Sequence, residues 1–179
     1  MQAQEIIHFW FHELNDKQRF AKDEALDAAI IERFCATLQA AARGELFGWR
    51  ATPVGRLAEI VVLDQFSRNI YRDTPGAFAQ DPQALTLAQE LVASGQDQSL
   101  ALAQRIFAYM PYMHSESALI HGQAMQLFSQ PGMANGLAFE QRHQAIIARF
   151  GRYPHRNTIL GRVSTADELA FLALPGSSF

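Results

Sequence analysis

Apolar residues recur at helical spacing along most of this chain. Within segment 23–43, four of them follow one another every four positions: Leu26, Ile30, Phe34 and Leu38. Such a stripe is typical of a helix that buries one face. Segment 57–66 is apolar nearly all round, which predicts a central helix. No segment alternates apolar and polar residues for long enough to predict a strand, so the pattern indicates an all-α protein.

Capping residues divide the pattern into elements. A capping side chain precedes a proline at three places: Thr52-Pro53, Thr74-Pro75 and Asp81-Pro82. Proline suits the first helical position, where its missing N–H costs nothing. Thr165 and Glu168 form a capping box before the last apolar run. These signals predict about seven main helices and short C-terminal turns. The helices are placed near residues 2–14, 23–43, 53–71, 81–94, 98–109, 115–130 and 136–150, and the turns near 154–160 and 165–172.

Short connections between the predicted helices favour antiparallel neighbours packed as hairpins. Residues 1–179 are therefore expected to form a single all-α domain of stacked helix hairpins, similar to tetratricopeptide arrays. The sequence signal for such a repeat is weak. The predicted starts at 81 and 115 are 34 residues apart, which is that repeat's period, whereas the starts at 53 and 81 are 28 apart.

Composition and charge narrow the class of protein. Alanine occurs 28 times and valine five times, which favours helix. A net charge of −3 is too small to attract nucleic acid or a membrane over the whole surface. The single cysteine, Cys35, excludes an intramolecular disulfide, and neither a signal peptide nor a bilayer-spanning apolar stretch occurs. We expect a cytoplasmic protein with no nucleic-acid or membrane partner.

Polar residues concentrate at the end of the central helix and in a later loop. Asp64 and Arg68 are one helical turn apart and share a face, and the apolar residues before Asp64 predict a partly buried carboxylate beside a partner. Pro111 is expected to break a helix, so that His114 faces a cleft and Glu116 lies in the first turn of the next helix. Each of these residues also has a structural alternative, which is ion pairing, capping or packing.

Segment 141–162 carries five arginines and two histidines but no Asp or Glu: Arg142, Arg149, Arg152, Arg156, Arg162, His143 and His155. Guanidinium groups bind planar oxyanions bidentately, so the turn from Arg152 to Asn157 predicts a phosphate or carboxylate site near His114. With only Asp64 and Glu116 as expected protein partners, a surplus of positive charge is anticipated there. The alternative is that these arginines cap helix carbonyls and pair with distant acids.

His143 is surrounded by apolar residues at helical spacing, which predicts that it points inward. The nitrogen and oxygen ligands among the candidate residues come from four separate segments, so no metal is predicted. No sequence motif for a cofactor occurs, and none is expected.

Several motifs resemble a bacterial family known as domain of unknown function 924: Phe9-Trp10-Phe11, Gly55-Arg56-Leu57, residues 63–70, Met113-His114-Ser115-Glu116, residues 149–157 and, near the end, residues 164–168, 171–172 and 175–179. The resemblance covers essentially the whole chain, although Ser67 stands where proline is expected. It implies an all-α, tetratricopeptide-like fold. It assigns no activity, so no catalytic residue is carried over.

Two functional hypotheses follow. In the first, a cleft binds a small anionic ligand or acts on it, through nine candidate residues: Asp64, Arg68, His114, Glu116, His143, Arg152, His155, Arg156 and Asn157. In the second, a helical groove binds a protein partner and the polar motifs are structural. Whether the protein is an enzyme is left open. Convergence of the side chains in one pocket favours the first hypothesis, whereas dispersal or full mutual pairing favours the second.

Overall fold

The computed structural model describes residues 1–177, which form helices and turns and no strand. The α-helices are α1 (Ala3–His8), α2 (Asp16–Phe20), α3 (Glu24–Ala42), α4 (Pro53–Val61), α5 (Ser67–Ile70), α6 (Asp81–Ala93), α7 (Leu102–Met113), α8 (Ala118–Phe128), α9 (Ala134–Phe150) and α10 (Ala166–Leu172). The all-α prediction is confirmed. Ser178 and Phe179, the end of the closing family motif, lie outside the described residues. No helix within residues 1–177 is long and apolar enough to cross a membrane.

The core is built around α4, as the sequence predicted. Leu57, Ile60 and Leu63 are completely buried, and α4 packs against α1, α6 and α7. Aromatic rings continue this core, since the Phe34 and Phe66 ring centroids are 4.9 Å apart. Adjacent pairs along the chain, α6 with α7, α7 with α8 and α8 with α9, also pack together. This arrangement is consistent with the expected stack of helix hairpins.

Two helices continue directly into π-helical turns. Helix α1 runs into Phe9–Glu13, and α4 runs into Val62–Phe66, which α5 follows without a break. A π turn inserts an extra residue into a helix and is frequent at functional sites. Val62–Phe66 contains Asp64, so this wide turn is where the central helix carries a buried carboxylate.

The expectation that Pro111 breaks a helix is wrong. Helix α7 passes through Pro111 and ends at Met113. Proline removes a single backbone N–H, and only two helical residues follow it, so little of the hydrogen-bond ladder is lost. Tyr112 and Met113 are buried and hold this last turn in place. Because α8 begins only at Ala118, His114 and Glu116 lie in a short non-helical connection.

Helix α2 was not predicted. It has no buried residue and therefore no apolar stripe that the sequence pattern could reveal. Its start is fixed locally by a capping box between Asn15 and Gln18. The predicted capping box of Thr165 with Glu168 is confirmed at the start of α10.

Ser67, the first residue of α5, buries a hydroxyl that has no hydrogen-bond partner among the described residues. Alanine removes this polar atom and keeps the Cβ. We therefore expect Ser67→Ala to raise the free energy of unfolding by about 1 kcal/mol, as measured by guanidinium denaturation. Ser99→Ala is the control, because the Ser99 hydroxyl is exposed and donates to the Gln96 carbonyl. A Ser67→Ala protein no more stable than the wild type would contradict the prediction.

Candidate functional site

The carboxylate of Asp64 is completely buried and hydrogen bonded on both oxygens. Its Oδ1 lies 2.7 Å from His114 Nδ1 and 3.1 Å from Arg68 Nη1, and its Oδ2 accepts from Gln65 Nε2 at 2.6 Å. Burial by itself raises the pKa of this carboxyl. The positive charge of Arg68 and the hydrogen bonds from His114 and Gln65 outweigh burial and hold the pKa below its usual range. Asp64 is therefore ionised at neutral pH.

The imidazole of His114 is oriented by this carboxylate. Because ionised Asp64 only accepts hydrogen bonds, His114 Nδ1 carries a proton. The other ring nitrogen, Nε2, makes no hydrogen bond with any described residue, and 16% of the side chain is exposed. An imidazole held in this way can accept a proton at Nε2 when neutral and can donate to an anion when protonated.

Two guanidinium groups share the carboxylate of Asp81. Arg68, on α5, binds it bidentately at 2.9 and 3.0 Å. Arg156, from the short 3-10 turn Pro154–Arg156, donates to Asp81 Oδ2 at 3.2 Å. The Asp81 side chain is 16% exposed, so this pairing lies at the edge of the solvent. We call Asp64, Arg68, Asp81, His114 and Arg156 the Asp81 cluster.

Arg156 is the most enclosed arginine of the Asp81 cluster, with 6% of its surface exposed. Its guanidinium lies over the rings of Phe78 and Tyr153, at 4.5 and 4.7 Å from their centroids. Nη2 donates to the His114 carbonyl at 3.0 Å, whereas the buried Nε has no partner among the described residues. Burial, together with the charge of Arg68, lowers the pKa of Arg156 from its ordinary value.

Glu116 belongs to a second set of polar residues. It binds Arg162 through two hydrogen bonds of 2.6 and 2.9 Å and accepts from the backbone N–H of Tyr153 at 2.7 Å. Arg162 Nε donates to Asn157 Oδ1 at 3.0 Å. Arg152 is paired bidentately with Glu168 of α10, at 2.7 and 2.8 Å. We call these five residues the Glu116 network: Glu116, Arg152, Asn157, Arg162 and Glu168.

The expected surplus of positive charge around the arginine turn is absent from the described residues. The Asp81 cluster and the Glu116 network together hold four arginines and four carboxylates, each in an ion pair. Asp81 and Glu168 supply the two negative charges that the sequence reasoning did not count. Arg142 and Arg149 belong to neither set and lie on the exposed face of α9, over the rings of Phe139 and Phe150.

His143 and His155 flank the buried ring of Tyr153, at 5.7 and 5.6 Å between ring centroids. His143 points inward, and its Nδ1 donates to the Phe139 carbonyl at 2.8 Å. Burial lowers the pKa of His143 to about 3 and that of His155 to about 4, so both imidazoles are neutral at neutral pH.

A third polar pair, His121 with Glu140, was missed as a pair by the sequence reasoning. Both residues are completely buried, and His121 Nδ1 lies 2.6 Å from Glu140 Oε1. His121 Nε2 donates to the Ser115 carbonyl at 2.9 Å. The pair joins α8 to α9. Only the position of Glu140, three residues before His143, could have indicated that it faces the interior.

The candidate residues thus divide into three places instead of one pocket, and their arginines and carboxylates pair with one another, so the set as a whole meets the criterion for the second hypothesis. Only the Asp81 cluster, where two guanidinium groups share one carboxylate at the edge of the solvent, keeps a feature of the first. Four belong to the Asp81 cluster, three to the Glu116 network, and the two remaining histidines flank Tyr153. A cleft of about 450 Å³ borders the Glu116 network between α9 and α10, lined by residues that include Arg149, Arg152, Thr165 and Glu168. Within residues 1–177, no three His, Cys, Asp or Glu side chains are placed to hold a metal ion.

Comparison with known proteins gives two matches. The model of a family described as "Bacterial protein of unknown function (DUF924)" matches residues 6–176. A solved structure of a protein of unknown function from Agrobacterium tumefaciens is 38% identical, with a TM-score of 0.91 over 96% of each chain. No curated protein matches the chain.

Proposed function

The chain belongs to this bacterial family, DUF924, whose description assigns no activity, and we propose from the site geometry that it binds a small oxyanion at the Asp81 cluster. The ligand is a phosphate or a carboxylate. The proposal rests on one observation: Arg68 and Arg156, from distant parts of the chain, both donate to Asp81 Oδ2. Two guanidinium groups directed at one oxygen form the arrangement that a ligand oxyanion requires.

Asp81 occupies the position of the ligand in this proposal. It is the first residue of α6, and its side chain reaches the solvent. A ligand oxyanion can therefore displace its carboxylate from the two guanidinium groups. The Nε of Arg156, which has no partner among the described residues, is a further donor in the same cluster, and His114 Nε2 is another when the imidazole is protonated. A phosphate has more acceptor oxygens than Asp81 and can use more of these donors.

The proposal is tested by isothermal titration of phosphate, sulfate and succinate into the wild type, Asp81→Asn and Arg156→Gln. We expect Asp81→Asn to bind at least tenfold more tightly than the wild type, because the competing carboxylate is gone. We expect Arg156→Gln to bind about ten- to a hundredfold more weakly, since a charge-assisted hydrogen bond contributes about 1.5–3 kcal/mol.

Two variants control for the loss of positive charge. Arg149→Gln removes an exposed arginine that stacks on Phe150, and Arg152→Gln removes one that is paired with Glu168. Both are expected to bind anions as the wild type does, provided that circular dichroism shows them folded. If Asp81→Asn binds no more tightly than the wild type, or if no protein binds, the proposal is wrong. The polar sets are then structural, as the second hypothesis expects.

A further inference from the structure

The His114 imidazole has one nitrogen fixed by the protein and one that is open to the solvent. Asp64 holds Nδ1 at 2.7 Å, so in the neutral ring the lone pair is at Nε2. Nε2 has no hydrogen-bond partner among residues 1–177 and is not enclosed. This is the arrangement of a nucleophile, because a carboxylate at Nδ1 orients the ring and compensates the positive charge that arises when Nε2 forms a bond.

The backbone that carries His114 is held at three consecutive carbonyls. The Tyr153 hydroxyl donates to the Met113 carbonyl at 2.5 Å, and Arg156 Nη2 donates to the His114 carbonyl at 3.0 Å. His121 Nε2 donates to the carbonyl of the residue that follows His114, at 2.9 Å. The short connection between α7 and α8 is therefore fixed although it is not helical, and it keeps the imidazole in one place beside the Asp81 cluster.

Both guanidinium groups of the Asp81 cluster are close to this residue. Arg68 Nη1 and His114 Nδ1 contact the same oxygen, Asp64 Oδ1, at 3.1 and 2.7 Å. Arg156 binds the backbone carbonyl of His114 and the carboxylate of Asp81 at once. When a ligand displaces Asp81, the donors that this carboxylate used become available to the ligand. A phosphoryl group, with a charge of about −2 at neutral pH, can use both guanidinium groups.

We propose that His114 Nε2 accepts a phosphoryl group from a small phosphoramidate, an inference that rests on the proposed oxyanion site. The lone pair of Nε2 forms a bond to phosphorus, and the phosphorus–nitrogen bond of the donor breaks with its electron pair going to the leaving nitrogen. That nitrogen is already protonated in phosphoramidate, so ammonia leaves and no general acid is required. The product has a positive imidazole ring, which Asp64 compensates, and a phosphoryl group beside the two arginines.

The test is incubation of the folded protein with phosphoramidate at neutral pH, followed by intact-mass measurement and peptide mapping. We expect one phosphoryl group per chain at His114, stable in alkali and lost in acid as a phosphorus–nitrogen bond is. His8 and His12 are internal controls, since both are exposed and neither belongs to the Asp81 cluster. We expect His114 to react about a hundredfold faster than either, because its position and the nearby guanidinium groups favour the transfer.

Variants separate the role of the cluster from general reactivity. Arg156→Gln is expected to slow the phosphorylation of His114 about ten- to a hundredfold, the loss of one charge-assisted hydrogen bond to the phosphoryl group. Arg149→Gln removes an exposed arginine of α9 that belongs to neither polar set, and it is expected to react as the wild type does.

The outcomes distinguish this inference from the proposed function. The inference is overturned if His114 reacts no faster than His8 and His12, if Arg156→Gln reacts like the wild type, or if the phosphoryl group maps to Asp81, where hydroxylamine would remove it. If the wild type binds phosphate but His114 is not modified, this inference alone fails. If the wild type binds no phosphate, the proposed function fails as well.

Discussion

Asp64→Ala is expected to lower the free energy of unfolding by about 3–5 kcal/mol, the loss that follows when one partner of a buried charged pair is removed. The substitution leaves His114 Nδ1 and Gln65 Nε2 without their acceptor and takes one of two carboxylates from Arg68. It also opens a space in the fully buried π turn of the central helix. Urea denaturation at neutral pH measures the change.

Two further variants make this test specific. Asp64→Asn keeps the shape of the side chain and an acceptor oxygen but loses the charge, so we expect a smaller loss than for alanine. Glu45→Gln breaks an exposed ion pair with Arg43 and is expected to change the free energy of unfolding little, because solvent screens such a pair. If Asp64→Ala is no more destabilising than Glu45→Gln, Asp64 does not anchor the Asp81 cluster.

The helices and the central position of α4 could be predicted because they depend on local pattern. The continuous apolar stretch before Asp64 already required a fully surrounded helix, and Thr52 and Thr165 could be recognised as caps by their neighbours alone. The π turn at Val62–Phe66 could not be predicted. It keeps helical spacing on both sides, and nothing in the residue types distinguishes it from an ordinary turn of α-helix.

The partners of the arginines could not be predicted, because ion pairs join residues that are far apart in the sequence. Asp81 is 75 residues from Arg156 and was interpreted as a helix cap, although Gln80 occupies the cap position. Glu168 was recognised in its capping box, yet its carboxylate also binds Arg152. Because a capping role already accounts for Asp81 and Glu168 locally, the sequence does not indicate that their carboxylates also pair with distant arginines.

The division of the candidate residues follows from the same limit. Arg152 and Arg156 are four residues apart in the sequence, and that spacing predicts one shared site. The short helical turn at Pro154–Arg156 directs Arg156 into the Asp81 cluster and leaves Arg152 beside α10. Local sequence identified which residues are polar and enclosed. The direction of each side chain depends on how this turn packs against the connection at His114.

Lowering the pH from about 7 to about 5 is expected to destabilise the protein by about 2 kcal/mol through His143 alone, and by less through the more exposed His155. In the folded protein burial holds the pKa of His143 near 3 and that of His155 near 4, so both imidazoles stay neutral. In the unfolded chain they take up protons below about pH 6.5. The unfolded state therefore binds more protons in this window, and stability falls as the pH falls.

His143→Leu identifies this contribution, because leucine fills a buried position and does not titrate. The pKa values of the Asp64 and Glu116 carboxyls are lowered in the folded protein. These groups lose their stabilising charge only at still lower pH, so they do not contribute to the stability difference measured here. Urea denaturation at about pH 7 and about pH 5 is expected to show a stability difference smaller by about 2 kcal/mol for His143→Leu than for the wild type. His12→Gln, at an exposed position, should retain the full difference. If acidification destabilises His143→Leu and the wild type equally, the His143 imidazole takes up a proton in the folded protein, and the prediction is wrong.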